Sequence, residues 1–232
     1  MKKLLFSVAL VLCVIRAQAK VKLPHVLGDN MILQQNSDAR LWGEAKPGVR
    51  VKVSVSWSDA KYEAKADEKG KFLLTVRTPK ASYKPLSITF DDGDKLTLSN
   101  ILAGEVWVCA GQSNMEMPMK GFGGCPVEGY MDEVINARNY KGIHYVKIPS
   151  VMSMTPLEDA DCEWKEIGSQ TIGEASATGY FFAQTVNKVL DIPVGLITPC
   201  VILPSTETKE TKLDLKHKPK FYRSVETRQI VI

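Results

Sequence analysis

Between residues 20 and about 100, apolar and polar positions alternate with a period of two. Val49, Val51, Val53, Val55 and Trp57 are interleaved with Arg50, Lys52, Ser54 and Ser56, the pattern of a strand with one buried face. Pro47-Gly48 turns the chain into that strand. Glu68-Lys69-Gly70-Lys71 separates a run at 62–66 from one at 72–78, and Asp91-Asp92-Gly93-Asp94 separates 86–90 from 95–98. Each is a turn cluster between two β-prone runs. The pattern predicts five or six short strands in a small all-β, sandwich-like domain over residues 20–102.

The period changes after Leu102. Glu105-Val106-Trp107-Val108-Cys109-Ala110 is a short apolar run ending at Gly111, and its lack of alternation predicts a strand covered on both faces. Residues 128–138 read as a helix and 143–148 as a strand. A longer helix is predicted over 173–190, with Ala177, Tyr180, Phe181, Gln184, Val186, Val189 and Leu190 on one side. A strand follows at 193–197. Strand, helix, strand, helix, strand is the rhythm of an α/β domain with a parallel sheet. Residues 198–232 carry no Gly and no Ala, and hold 7 basic against 4 acidic residues. They read as a divergent polar tail.

The first nineteen residues form a different kind of signal. Lys2-Lys3, a twelve-residue apolar stretch from Leu4 to Ile15, and Ala17-Gln18-Ala19 match a cleaved signal peptide. The apolar run is short of the roughly 20 residues that span a bilayer. The expectation is export to the periplasm or the extracellular space, with no membrane attachment after cleavage. Removing Lys2, Lys3 and Arg16 from 30 basic residues leaves 27 against 26 acidic, so a formal charge of +4 gives no reason to expect nucleic acid as a partner. Cys109, Cys125, Cys162 and Cys200 have no C-x-x-C spacing and no nearby His. No metal site is expected, and three disulfide connectivities stay open.

One motif carries chemistry. Gly111-Gln112-Ser113-Asn114-Met115 follows directly on the apolar strand. A serine after strand and glycine is where α/β hydrolases present a nucleophile, and its amide can donate to an oxyanion. The block is not G-x-S-x-G, because Met115 stands at the last position. Taken together, Gly104–Met119, the stretch Gly173–Phe182 and Pro193–Ile197 resemble the SGNH hydrolases, in the form found in sialate O-acetylesterases and related sugar acetylesterases. A small β domain ahead of the block fits the same resemblance.

That resemblance implies an incomplete α/β domain of SGNH, flavodoxin-like type over residues 103–197, with acetylated sugars or glycans as substrates. Ser113 would be the catalytic nucleophile, with Gly111, Gln112 and Asn114 supporting it or the oxyanion, and no cofactor would take part. The family's later blocks, with the amide-bearing residue and the His held by an Asp, are not matched, so the chain reads as an inactive or incomplete form. Asp214-Leu215-Lys216-His217 has the D-x-x-H spacing of such a pair. Only the 16 residues 198–213 separate it from Ile197, too few to add the elements that carry a base to the sheet edge, and the spacing reads as coincidence. His25 and His144 read as structural or surface groups. A competing expectation is an exported, non-catalytic β-sandwich that binds carbohydrate or another partner, with Trp42, Trp57 and Tyr62 as stacking faces.

Overall fold

The computed structural model describes residues 20–111, 113–149, 151 and 157–199. The signal-peptide reading of 1–19, Gln112, Cys200 and the Asp214/His217 spacing lie outside the described residues.

Seven strands come first. β1 (Ile32–Gln34), β2 (Asp38–Glu44), β3 (Arg50–Val55), β4 (Ser58–Lys65), β5 (Lys71–Arg77), β6 (Ser82–Asp91) and β7 (Lys95–Val108) are followed by the short helix α1 (Ser113–Glu116) and by α2 (Tyr130–Asn136). β8 (Ile143–Ile148), β9 (Trp164–Glu166), α3 (Ala177–Leu190) and β10 (Val194–Pro199) complete the order. The alternation read from sequence is present: Val51, Val53 and Val55 of β3 are buried, as are Phe72, Leu74 and Val76 of β5, while their neighbours face out. The turn clusters lie between strands, and Gly48, Gly70 and Gly93 have positive φ there, a backbone geometry that favours glycine.

Eight strands form one mixed sheet in the order β4-β3-β6-β7-β10-β8-β9, with β1 pairing parallel to β7 outside that path. β2 and β5 form a separate antiparallel pair. β7, β10 and β8 run parallel, and β9 closes the edge antiparallel to β8. A mixed sheet with few helices fits the α/β reading.

Strand β7 joins the two textures of the sequence. Its first half pairs antiparallel with β6, through Phe90↔Leu96 and Leu86↔Ile101. Its second half pairs parallel with β10, from Val194↔Glu105 to Ile197↔Val108. Leu102, where the change of period falls, therefore lies inside a continuous 14-residue strand. The core is shared as well: Val51, Val53, Leu41, Phe72, Ile88 and Phe90 belong to the same buried cluster as Val106, Val146, Trp164 and Ile197. A second cluster, with Cys109, Met119, Tyr145, Tyr180 and Leu196, lies under α3 on the other face.

Close approaches fix the junction. A Cβ on Gly104 would lie 2.1 Å from the carbonyl oxygen of Pro193, so only glycine lets β7 pass the start of β10. The buried Gln34 side chain accepts from the Val106 amide at 2.9 Å and donates to Glu105 at 3.1 Å. Trp164, 1% exposed, donates its indole N–H to the Val26 carbonyl at 2.8 Å.

Three expectations need correction. The run 105–110 is the end of β7, which stops at Val108, and it is not covered on both faces: Trp107 stays 38% exposed, edge-on to Phe182. The buried stripe of α3 is Tyr180, Ala183, Gln184 and Asn187, whereas Phe181, Val189 and Leu190 face out. Spacing i, i+3, i+4, i+7 decides the stripe, and its two amides are tolerated because they are bonded. Gln184 donates to Glu133, and Asn187 donates to Tyr83 and to the Ile192 carbonyl. Finally, β10 continues through Thr198 and Pro199, which pair with Lys147 and Ile148, so the first two residues read as tail belong to the sheet.

Candidate functional site

Ser113 opens α1, five residues beyond the end of β7 and at the carboxyl edge of the parallel strands. In open α/β sheets this is the edge where ligands bind. Ser113 and Asn114 are exposed and Gly111 is half-buried. Gly111 has an ordinary backbone. Its constraint is packing, because a Cβ there would lie 3.0 Å from the Met115 Cβ. Gln112 belongs to the undescribed residues.

The segment carrying Ser113 is fastened to the start of α3 and to the chain just ahead of it. Thr178 donates its hydroxyl to the Asn114 carbonyl at 3.0 Å, and the Ser176 hydroxyl reaches the Met115 sulfur at 3.4 Å. Backbone bonds from Ala177 to Met117 (2.8 Å), Met119 to Ala175 (2.9 Å) and Lys120 to Gly173 (3.1 Å) continue the lacing. Ser176 also caps α3, accepting from the Gly179 amide at 3.2 Å. The stretch Gly173–Phe182, singled out in the sequence, thus supports the serine-bearing turn directly.

The two histidines among the described residues are engaged elsewhere. His25 is half-exposed and bonds Asp159 through both its amide and Nδ1, each at 2.8 Å. Burial alone would raise the Asp159 pKa, but the bonds from His25 and the Ala160 amide outweigh it and hold the carboxyl below its ordinary value. His144, 1% exposed, bonds the Asn30 carbonyl through Nδ1, and burial pushes its pKa down. His144 is a buried group and His25 a half-exposed surface one, within the structural-or-surface reading of the sequence. Neither is paired with Ser113.

A narrow recess beside α1 contains a residue that sequence reasoning missed. Thr198, 5% exposed, lines it with Met115, Glu116, Tyr145 and Lys147, and its hydroxyl is buried without a hydrogen-bond partner among the described residues. Only its place at the carboxyl end of a parallel strand marks it out, and by sequence it reads as part of the tail. The Tyr145 phenol, on the same recess, is pushed up to about 12 by burial and donates to the Thr171 carbonyl at 2.7 Å. Cys109, Cys125 and Cys162 are free thiols; burial raises Cys109 to about 11, and burial with Asp159 and Asp161 nearby raises Cys162 to about 11. Among the described residues no group of three or more His, Cys, Asp or Glu is placed to hold a metal ion, and no helix is long and apolar enough to cross a membrane.

Comparison with known proteins places this architecture. The chain is 23% identical over 188 residues to the sialate O-acetylesterase of Homo sapiens, covering 74% of this chain and 35% of that protein. The Mus musculus sialate O-acetylesterase is 23% identical over 185 residues, covering 72% and 33%. The crystal structure of a carbohydrate acetylesterase from Xanthomonas citri superposes with a TM-score of 0.69 and 27% identity, covering 78% of this chain and 41% of that one. These likenesses bear out the resemblance to sialate O-acetylesterases and related carbohydrate acetylesterases. No family model matches it. It spans about a third of the length of these sialate O-acetylesterases, so what the whole relatives do reaches this chain only as a proposal.

Proposed function

We propose that the chain is an exported member of the sugar O-acetylesterase kind in which Ser113 is the nucleophile toward an acetyl carbonyl, and that these residues alone turn over little. The observation that carries the reading is the position of Ser113: exposed, at the carboxyl edge of the parallel strands, on a turn bonded to the start of α3. The likeness to carbohydrate and sialate acetylesterases supports acetylated sugars as the substrate class. Attack by the serine oxygen would give an acyl-enzyme, released by water. The amide of Ser113 would donate to the developing oxyanion, with Gly111, Gln112 and Asn114, its neighbours in sequence, in support. A serine hydroxyl is a weak nucleophile without an adjacent base, and both described histidines are committed elsewhere. Export rests on the pattern of residues 1–19.

The test supplies the base from outside. The full chain and Ser113→Ala are incubated with an aryl acetate, with and without imidazole, and acetylated residues are mapped by mass spectrometry. Near-background acetate release without imidazole is expected in both. With imidazole, an acetyl group should appear at residue 113 of the parent chain. Acetylation confined to lysines and equal in the two proteins would refute the nucleophile. Rapid Ser113-dependent release without imidazole would refute the low turnover and point to His217.

The rival reading, a non-catalytic carbohydrate-binding β-sandwich over residues 20–102, draws support from the β2–β5 pair sharing a core with β3 and β6. Two of its three aromatic candidates, Trp57 and Tyr62, speak against free stacking faces. The Trp57 indole donates to the Arg77 carbonyl at 2.9 Å, the Tyr62 hydroxyl accepts from the Arg77 amide at 3.4 Å, and both rings pack on the core.

A further inference from the structure

The β2–β5 pair breaks its own pattern at one place. Its inward residues Ala39, Leu41, Phe72, Leu74 and Val76 are core. Its outward positions are polar (Asp38, Arg40 and Glu44 on β2; Lys71, Thr75 and Arg77 on β5) except for Trp42 and Leu73, which are register partners. Leu73 is 58% exposed. A large apolar pair on an otherwise polar face is the kind of departure that marks a binding surface.

Trp42 and Leu73 form one wall of a cavity of about 510 Å³, within the range of small-molecule sites. The opposite wall is the carboxyl edge of the parallel strands, with Val108, Ile148 and Ile197. Val106 belongs to the core cluster on this face, and Val108 packs against the same cluster. Cys109 belongs to the cluster under α3 and Trp107 meets Phe182 of that helix. The cavity therefore opens on the face of the sheet opposite α3 and the Ser113 segment bonded to it.

Three charged residues line the cavity: Arg40, Glu158 and Asp159. Glu158 is bound by Lys71. Asp159 has one oxygen on the amides of His25 and Ala160 and the other on His25 Nδ1. Arg40 has no hydrogen-bond or ion-pair partner among the described residues, so the acids are answered and the guanidinium is not. A guanidinium matches a carboxylate through two parallel hydrogen bonds. We propose that this cavity binds a small amphipathic anion, an alkyl or aryl carboxylate whose head pairs with Arg40 and whose apolar body lies between Trp42, Leu73, Val108 and Ile197.

The test uses the full chain and three ligands of one tail length: decanoate below its micellar concentration, decanol and decylammonium. Calorimetry should show decanoate saturating one site, with decylammonium the weakest of the three. Arg40→Ala should weaken decanoate about tenfold, the scale of one charge-assisted contact, and leave decanol unchanged. Leu73→Asp, at an exposed position, should abolish binding of both while the melting curve stays in place. Cys162 lines the same cavity, so decanoate should also slow its alkylation in the unmutated chain, a readout that needs no variant. Absent or non-saturable decanoate binding, unprotected Cys162, equal affinity in Arg40→Ala, or decylammonium binding as tightly as decanoate would each overturn the proposal.

Discussion

On the N-terminal side of β7, alternate residues of β2, β3 and β5 are buried in a core that also takes in Val146, Trp164 and Ile197. On the C-terminal side, Tyr180 and Ala183 of α3 are buried, yet Val189 is 75% and Leu190 53% exposed, and α2 leaves Met131 at 65% and Ile135 at 62%. Both sides contain similar apolar residues. What differs is the partner surface: a strand that alternates can satisfy its apolar face with one opposing layer, whereas a helix rich in apolar residues around its circumference needs a second. The inward faces of the N-terminal strands are thus covered, in part by Val106, Val146, Trp164 and Ile197 of the α/β part, whereas α2 and α3 carry apolar surface that the described residues do not cover.

The comparison predicts that mutations at the junction act on both parts together. Gly104→Ala forces a Cβ into the Pro193 carbonyl, an overlap of backbone that no rotamer relieves. It should be the most damaging change here, costing about 4 kcal/mol or more and lowering the unfolding transition by every probe. Trp164→Ala empties a fully buried site on the edge strand β9 and removes the bond to Val26. A loss of about 3–5 kcal/mol is expected in urea unfolding. If either variant unfolds in two separate transitions, the two parts are energetically independent and the shared core does not couple them.

Smaller effects sharpen the contrast. Tyr180→Phe leaves Glu133 with the Gln184 amide alone and should cost about 1–3 kcal/mol, as for one lost bond to a charged acceptor. The phenol itself is held above its ordinary pKa by burial and by Glu133. Val189→Ser on the open side of α3 should change stability by less than about 0.5 kcal/mol while reducing self-association in light scattering. A large destabilisation would mean that face is covered.

The smallest effect is a pH dependence. Because the folded Asp159 carboxyl is held below its ordinary value, its contribution is present above the ordinary carboxylate range and is lost as pH falls through the depressed folded value. Asp159→Asn should remove that acid-side slope by lowering stability slightly at neutral pH and leaving it nearly unchanged at the acid end, as thermal melts from pH 2 to 7 would show.

Much of this was legible from local chemistry. The period-two runs, the glycine turns and β8 at 143–148 follow from which side chains tolerate water and which residues tolerate positive φ. The serine block was visible because strand, glycine and serine are contiguous. β9 was not legible, since three residues give no period and Trp164 is buried by β8 and Val26, both distant in sequence. The outward exposure of Val189 and Leu190 was missed for a related reason: an apolar residue on a helix is buried only if another element arrives there.

The amino-acid sequence by itself determined the strand alternation, the turns and the resemblance that singles out Ser113, because each depends on residues close together along the chain. Only the tertiary structure decided that β7 serves two pairings and that Gly104 is demanded by the Pro193 carbonyl. It also decided that Arg40 and Trp42 share a cavity with Val108 and Ile197. Those relations join residues dozens of positions apart, and distance in space between such residues is set by packing and not by spacing along the chain.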